Sequence, residues 1–216
     1  MFILASNSPR RKQLLALAGH KFRVLAAEVD ERIKPGEEPL AYVLRLAETK
    51  ARAVLYEAGC EDVILAADTT VVDGEDILGK PADEVEAGSM LRRLRGRTHQ
   101  VYTALAALRV VDDLLLTDWS CTDVPMRQYS DEEMKAYIST GDPLDKAGAY
   151  AIQHAGFDPA ENLHGCFANV MGLPLCHLTR TLKKLGITLN VDIAQACMSS
   201  LRYECPVHPQ VLHGNR

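Results

Sequence analysis

The chain has 216 residues, 47% hydrophobic and 25% charged, with a formal net charge of −5. That length supports one substantial core, and the balance is that of an ordinary globular protein. An acidic chain lacks the basic face that broad nucleic-acid binding requires, and no stretch reaches the roughly 18 uninterrupted apolar residues of a membrane span, so neither nucleic acid nor a membrane is an expected partner.

Phe2 to Ala5 is a short apolar run that reads as a strand, and it feeds directly into Ser6-Asn7-Ser8-Pro9-Arg10-Arg11. Ser8 suits a helix N-cap and Pro9 the first helical position, which predicts a helix from Pro9 to Ala18. Two arginines in a first turn oppose the helix dipole by roughly 0.3–1 kcal/mol each, whereas a bound anion would use the free N–H groups, the dipole and both guanidinium forks together. The pattern therefore points to a phosphate-bearing ligand, with the arginines held by its phosphates rather than by protein partners. Met1 to Ala5 also lacks the basic head of a signal peptide, and a cytoplasmic address is the expectation.

Phe22 to Ala26 reads as a second strand. After a charged loop, Leu40, Val43, Leu44, Ala47, Ala51, Val54 and Leu55 recur with helical spacing until Gly59, and Lys50 falls on their apolar stripe. Val63 to Ala67 is a compact run that ends at Asp68, and Thr69 to Val72 with Ile77-Leu78 predict a hairpin across Asp73-Gly74. A helix follows from about Asp83 to Leu94, then a second hairpin of Gln100 to Val111 and Leu114 to Met126 around Asp112-Asp113. Ser130 and Glu133 form a capping box before the next helix. Gly165 to Val170 reads as a strand and Cys176 to Leu185 as a helix.

The remainder, part helical and then irregular around Pro206 and Pro209, carries Ile193, Ala194, Cys197, Met198 and Leu201 at helical spacing, a face suited to the body or to a second subunit. The six cysteines contain no CxxC pair, which implies neither a disulfide framework nor a zinc ribbon. Cys197, Cys205, His208 and His213 offer four metal-ligating side chains at a spacing that matches no standard zinc pattern.

Several elements place a charged group beside Gly or Pro: Glu31 after Val29-Asp30, Asp68-Thr69, Gly79-Lys80-Pro81 and Asp145-Lys146-Ala147-Gly148. With Arg10, Arg11 and Lys50 they supply cations for phosphates and carboxylates for a divalent metal. No Walker A, HExxH, GxSxG or GxGxxG fingerprint is present.

Taken in order, Ser6 to Arg11 with Leu14-Leu15, Glu31, Tyr42 to Ala47 with Lys50-Ala51, Ala67-Asp68-Thr69, Leu78 to Pro81, Asp145 to Tyr150 and Gly172-Leu173-Pro174 closely resemble the Maf family of nucleoside triphosphate pyrophosphatases. The resemblance runs from about Phe2 to Gly186. It implies an α/β fold similar to that of the inosine triphosphate pyrophosphatases, with a long bent mixed sheet flanked by helices and a nucleotide cleft. It divides the chain into a nucleotide pyrophosphatase domain over 1–189 and a C-terminal appendage over 190–216. The implied reaction is hydrolysis of a nucleoside triphosphate between the α and β phosphates, giving a monophosphate and pyrophosphate with a divalent cation (Mg, Mn or Co). By position, Asp68 matches the catalytic acid and a metal ligand, and Glu31 a carboxylate near the metal. Ser8, Arg10, Arg11, Lys50, Lys80 and Lys146 match phosphate-binding positions, and Arg10, Thr69 and Gln153 the specificity determinants. Ala147 to Gln153 is similar to the branch acting on dTTP and UTP, while Phe157 to Glu161 departs from the glycine-rich turn of the family. The alternatives within the resemblance are a modified nucleotide such as 7-methyl-GTP, or regulation of septum formation through a protein partner, and a homodimer is among its partner expectations.

Overall fold

The computed structural model describes residues 1–213. A six-stranded mixed sheet forms its centre, built from β1 (Phe2–Leu4), β2 (Phe22–Val24), β3 (Val63–Asp73), β4 (Asp76–Leu78), β5 (Thr98–Arg109) and β6 (Leu114–Pro125). The main order is β2-β1-β3-β5-β6, with β4 on β3. β1 pairs parallel with β2 and β3, and every other pairing is antiparallel. The helices are α1 (Pro9–Ala16), α2 (Pro39–Ala53), α3 (Glu84–Leu94), α4 (Asp131–Ile138), α5 (Phe167–Met171), α6 (Leu175–Lys184), α7 (Ile193–Leu201) and α8 (His208–Leu212). Among the described residues no helix is long and apolar enough to cross a membrane.

The alternation of side chains along β3 divides the molecule into two cores. Ile64 and Ala66 face α2, where Val43, Ala47, Ala51 and Val54 cover them, joined by Ile3, Ala104 and Ala106 from neighbouring strands. Leu65 and Ala67 belong to the larger core on the other side, with Leu14 and Leu15 of α1, Leu91 of α3, Ala168 of α5 and Leu178 of α6.

One edge of β3 is paired along its length with β5, from Val63 to Val72. The other is shared: β1 takes residues 63–65 and β4 takes 71–73. Among the described residues, 66–70 have no strand partner on that side, and the chain leaving β1 turns there into α1. This gap is the floor of the cleft described below.

Several sequence expectations are met closely. Ser8 caps α1, its Oγ accepting from the Arg11 backbone N–H at 3.5 Å, and Ser130 with Glu133 closes the capping box of α4. The hairpin of β5 and β6 turns at Asp113, which adopts a left-handed conformation. Two expectations need correction. Asp68 does not end a strand, because β3 continues through it to Asp73. Gly165 to Val170 is not a strand either: Cys166 caps the short helix α5, its Sγ accepting from the Asn169 backbone N–H at 3.4 Å. A short apolar run reads identically as a buried strand or a buried helical turn, and tertiary contacts decided in favour of the turn.

Those contacts centre on Asn169, which is fully buried. Its Nδ2 donates to Val101 O of β5 and Thr122 Oγ1 of β6, both at 2.9 Å, and its backbone O accepts from Thr103 Oγ1 at 2.9 Å. The segment beyond residue 190 packs through α7 and α8 onto α6 and α5, while 214–216 lie outside the described residues. Asn169→Ala removes two hydrogen bonds from buried acceptors and should lower unfolding free energy by roughly 1–3 kcal/mol in urea titrations. A loss below about 0.5 kcal/mol, the level of an ordinary surface substitution, would mean that α5 is not anchored this way.

Candidate active site

The gap on β3 opens into a cleft of about 620 Å³. The turn after β1, the start of α1, the loop before α2, the middle of β3, the turn after β4 and residues 145–153 all contribute to its walls. Every site residue that the family resemblance implies lies on it: Ser8, Arg10, Arg11, Glu31, Lys50, Asp68, Thr69, Lys80, Lys146 and Gln153; Cys197, Cys205, His208 and His213, offered by the sequence as metal ligands, lie elsewhere and converge into no metal-holding group.

Adjacent residues of β3 serve opposite faces. Asp68 follows Ile64 and Ala66 onto the α2 face, where Lys50 reaches it from among Val43, Leu46, Ala47 and Ala51. Lys50 Nζ donates to Asp68 Oδ1 at 2.5 Å and meets Glu31 Oε1 at 2.6 Å. The ammonium therefore lies between a buried carboxylate and a half-exposed one. Burial pushes the Asp68 carboxyl above its usual value, with Lys50 and Arg11 pulling the other way. Tyr42 donates from its hydroxyl to Glu31 O at 3.0 Å, which fixes the Glu31 loop, and burial with the nearby acids pushes its own pKa up to about 12.

Thr69 turns to the other face and meets Arg11. Arg11 Nε donates to Gly172 O at 2.9 Å, Nη1 to Ser6 Oγ at 3.3 Å and Nη2 to Thr69 Oγ1 at 3.1 Å. Burial draws the Arg11 guanidinium below its usual value, against the pull of Asp68. The expectation that both arginines wait for phosphates without protein partners is thus corrected for Arg11, which ties α1 to β3 and to the end of α5. Gly172 is required at that end. Its φ is +107°, and a Cβ there would meet Thr69 Oγ1 at 3.2 Å and Arg11 Nε at 3.4 Å. Arg10 is freer, its one ion-pair partner among the described residues being Asp145 Oδ2 at 4.0 Å.

Lys146 is buried and also carries internal partners, donating to Asp142 Oδ1 at 2.9 Å and Asp145 Oδ1 at 2.5 Å. The turn that holds it packs tightly on β3, since Gly148 has φ +68° and a Cβ would lie 2.9 Å from Val71 Cγ2. Lys80 and Gln153 are exposed on the cleft and have no hydrogen-bond or ion-pair partner among the described residues. Reading the sequence missed the partners that set these cations in place: Ser6, the Gly172 carbonyl and Asp142. Of these only Asp142 had a local cue, one helical turn before Lys146.

Five cations and four carboxylates share this cleft, and among the described residues no three His, Cys, Asp or Glu groups converge into an all-protein metal cage. Two carboxylates on one ammonium nevertheless suit a hard cation whose shell is completed by phosphate oxygens, the usual arrangement for magnesium. Arg11→Ala should destabilise the free protein by roughly 1–3 kcal/mol, because buried acceptors lose their donor. Melting curves without ligand would show it, and an unchanged melting temperature would mean that the arginine does not brace the turn.

A family model described as Maf-like protein matches residues 1–185. A relative from Anaeromyxobacter dehalogenans named dTTP/UTP pyrophosphatase is 46% identical over 87% of this chain and 95% of its own length. One of the same name from Hahella chejuensis is 42% identical over 88% of this chain and 94% of its own. Among solved structures, a nucleoside-triphosphatase described as a dITP/XTP pyrophosphatase from Mycobacterium abscessus aligns over 85% of this chain and 93% of its own, with 15% identity and a TM-score of 0.41. The match across 1–185, together with relatives at 42–46% identity over most of both chains, establishes that this chain belongs to the Maf family.

Proposed function

We propose that the chain hydrolyses nucleoside triphosphates, dTTP and UTP foremost, to the nucleoside monophosphate and pyrophosphate. The observation that carries this reading is the placement of the Lys50–Asp68–Glu31 group on one side of the β3 gap and the Arg10–Arg11 helix start on the other. The names of the relatives in the same family support the substrate class.

In this reading the triphosphate lies across the gap. The N-terminus of α1, with Ser8 and Arg10, faces one part of the chain of phosphates, and Lys80 and Lys146 face another; Arg11 braces that surface and adds fixed positive charge. Fixed cations suit the reaction, because negative charge grows on the departing pyrophosphate and no covalent nucleophile is required. Asp68 Oδ1 is held by Lys50, while Oδ2 has no hydrogen-bond partner among the described residues, and it accepts the proton of the attacking water. Asp68 and Glu31 would hold the divalent cation, which supplies Lewis-acid polarisation and neutralises phosphate charge when bound. Arg10 and Gln153 select the base, the Gln153 amide both donating and accepting as a pyrimidine edge demands. Thr69 contributes through the floor it builds, its hydroxyl being committed to Arg11 and Thr103.

Asp68→Asn preserves shape and removes the charge. Turnover of dTTP should fall by about 10²-fold or more with little change in melting temperature, and a variant retaining over about a tenth of wild-type turnover would remove Asp68 from this role. The acid limb of kcat/KM tests the same residue: as pH falls Asp68 takes up a proton and ceases to act as a base, so the midpoint should lie above the usual carboxylate value of about 4. A pyrophosphate-release screen over canonical and modified triphosphates with Mg, Mn or Co tests the reading as a whole; nucleotide binding without pyrophosphate release in any of them would overturn it.

A further inference from the structure

Behind the wall that carries Gln153 stands Tyr137, a buried residue that is not part of the cleft lining. Met134, Tyr137 and Ile138 form the inward face of α4, at the spacing by which a helix buries one stripe. The capping box fixes the start of that helix, so the tyrosine near its end is presented from a firm base.

Its hydroxyl joins two segments of the cleft wall. It donates to Asp142 Oδ2 at 2.7 Å and accepts the Ala151 backbone N–H at 3.0 Å. Asp142 in turn accepts from Lys146 Nζ at 2.9 Å through its other oxygen, Oδ1. The phosphate-side lysine and the segment leading to Gln153 are thus linked through one phenolic oxygen. Burial and the Asp142 carboxylate push the Tyr137 pKa up, so the group stays a hydroxyl that donates and accepts at once.

The Tyr137 ring holds the same segment further along. Ala151 O accepts the His154 backbone N–H at 3.1 Å, closing a turn with Gln153 inside it, and the ring meets the His154 imidazole edge-on at 4.7 Å. The turn is therefore gripped at both ends by one residue. The ring also stacks on Phe157, with centroids 4.3 Å apart and planes at 10°. Phe157 opens the stretch in which this chain departs from the glycine-rich turn of its family, and a glycine there would leave the tyrosine ring without this partner.

We propose that Tyr137 is a positioning residue for base selection: its hydroxyl holds the Ala151–His154 turn, and Gln153 with it, at a fixed offset from Lys146. The inference rests on the reading of the cleft given above, with phosphates on the lysine side and the base at Gln153. Tyr137 acts only through the turn, with Phe157 bracing it from below. A triphosphate caught by its phosphates then presents its base to an amide that is already aligned. Without the hydroxyl the turn keeps its packing but loses its tether, and with it the alignment on which hydrogen-bond discrimination between two pyrimidine edges depends.

Tyr137→Phe keeps the ring and both of its aromatic partners and removes only the hydroxyl. The readout is kcat/KM for dTTP divided by that for dCTP, a pyrimidine of similar size with an amine where thymine has a carbonyl. A ratio taken on one preparation is unaffected by loss of folded enzyme. It should fall by about tenfold, the scale of one aligned hydrogen bond. In a Gln153→Ala background the same substitution should change the ratio by less than about twofold, because the residue it aligns is gone. A ratio within about twofold of wild type in folded Tyr137→Phe overturns the proposal, as does an equal fall with and without Gln153, which makes the tyrosine a structural residue alone. Should Tyr137→Phe not fold, Phe157→Leu replaces it, keeping the hydroxyl and removing the stack: a fall in the ratio that vanishes in the Gln153→Ala background supports the proposal, and an unchanged ratio overturns it. A wild-type chain that cleaves both triphosphates equally well refutes the base site at Gln153 and this inference with it. One that releases pyrophosphate from neither refutes the reading of the cleft as a whole.

Discussion

A β-strand has two edges, and the architecture follows from how β3 divides one of them. β5 takes one edge over ten residues, but the other is split between β1 at its start and β4 at its end. In the interval between them the backbone cannot find strand partners and must face a turn, a ligand or solvent. The chain leaving β1 has to bend away at this point, and it does so into a helix whose N-terminus looks back across the gap. Open α/β sheets place ligands at such breaks in strand order. Here the break lies within the pairing of a single strand.

The same strand then sorts the site's chemistry. Its alternation sends Asp68 to the face under α2 and Thr69 to the face under α1 and α5, so two neighbouring residues anchor the two halves of the cleft. Taking Lys50 and Asp68 out of water is costly, and a well-packed apolar pair would suit the fold better. Placing them with Glu31 at the cleft wall gives up stability for a carboxylate whose proton affinity burial has raised.

Much of this was legible before any coordinates. The cap at Ser8, the box at Ser130, the two hairpins and the lysine on an apolar stripe are local patterns, in which neighbouring residues carry the whole message. What stayed hidden depends on distant contacts. Arg11 meets Thr69 and Gly172 from 58 and 161 residues away, and no local rule distinguishes a guanidinium awaiting phosphate from one already engaged. The helix at Phe167–Met171 was concealed for the same reason, its hydrogen-bond partners lying on β5 and β6.

Lys146 enters the cleft with its charge already answered by Asp142 and Asp145, and Asp145 also approaches Arg10. An anion arriving there meets no bare cation; it has to exchange with a resident one. Such an exchange sets a threshold by valence. A singly charged ion such as chloride gains less by displacing a tethered carboxylate than a polyphosphate that meets several cations at once, and Asp145 is the more exposed of the two carboxylates on Lys146. The tethered carboxylates thus compete with an incoming anion for Lys146, a cost that a ligand meeting several of the cleft's cations at once can offset.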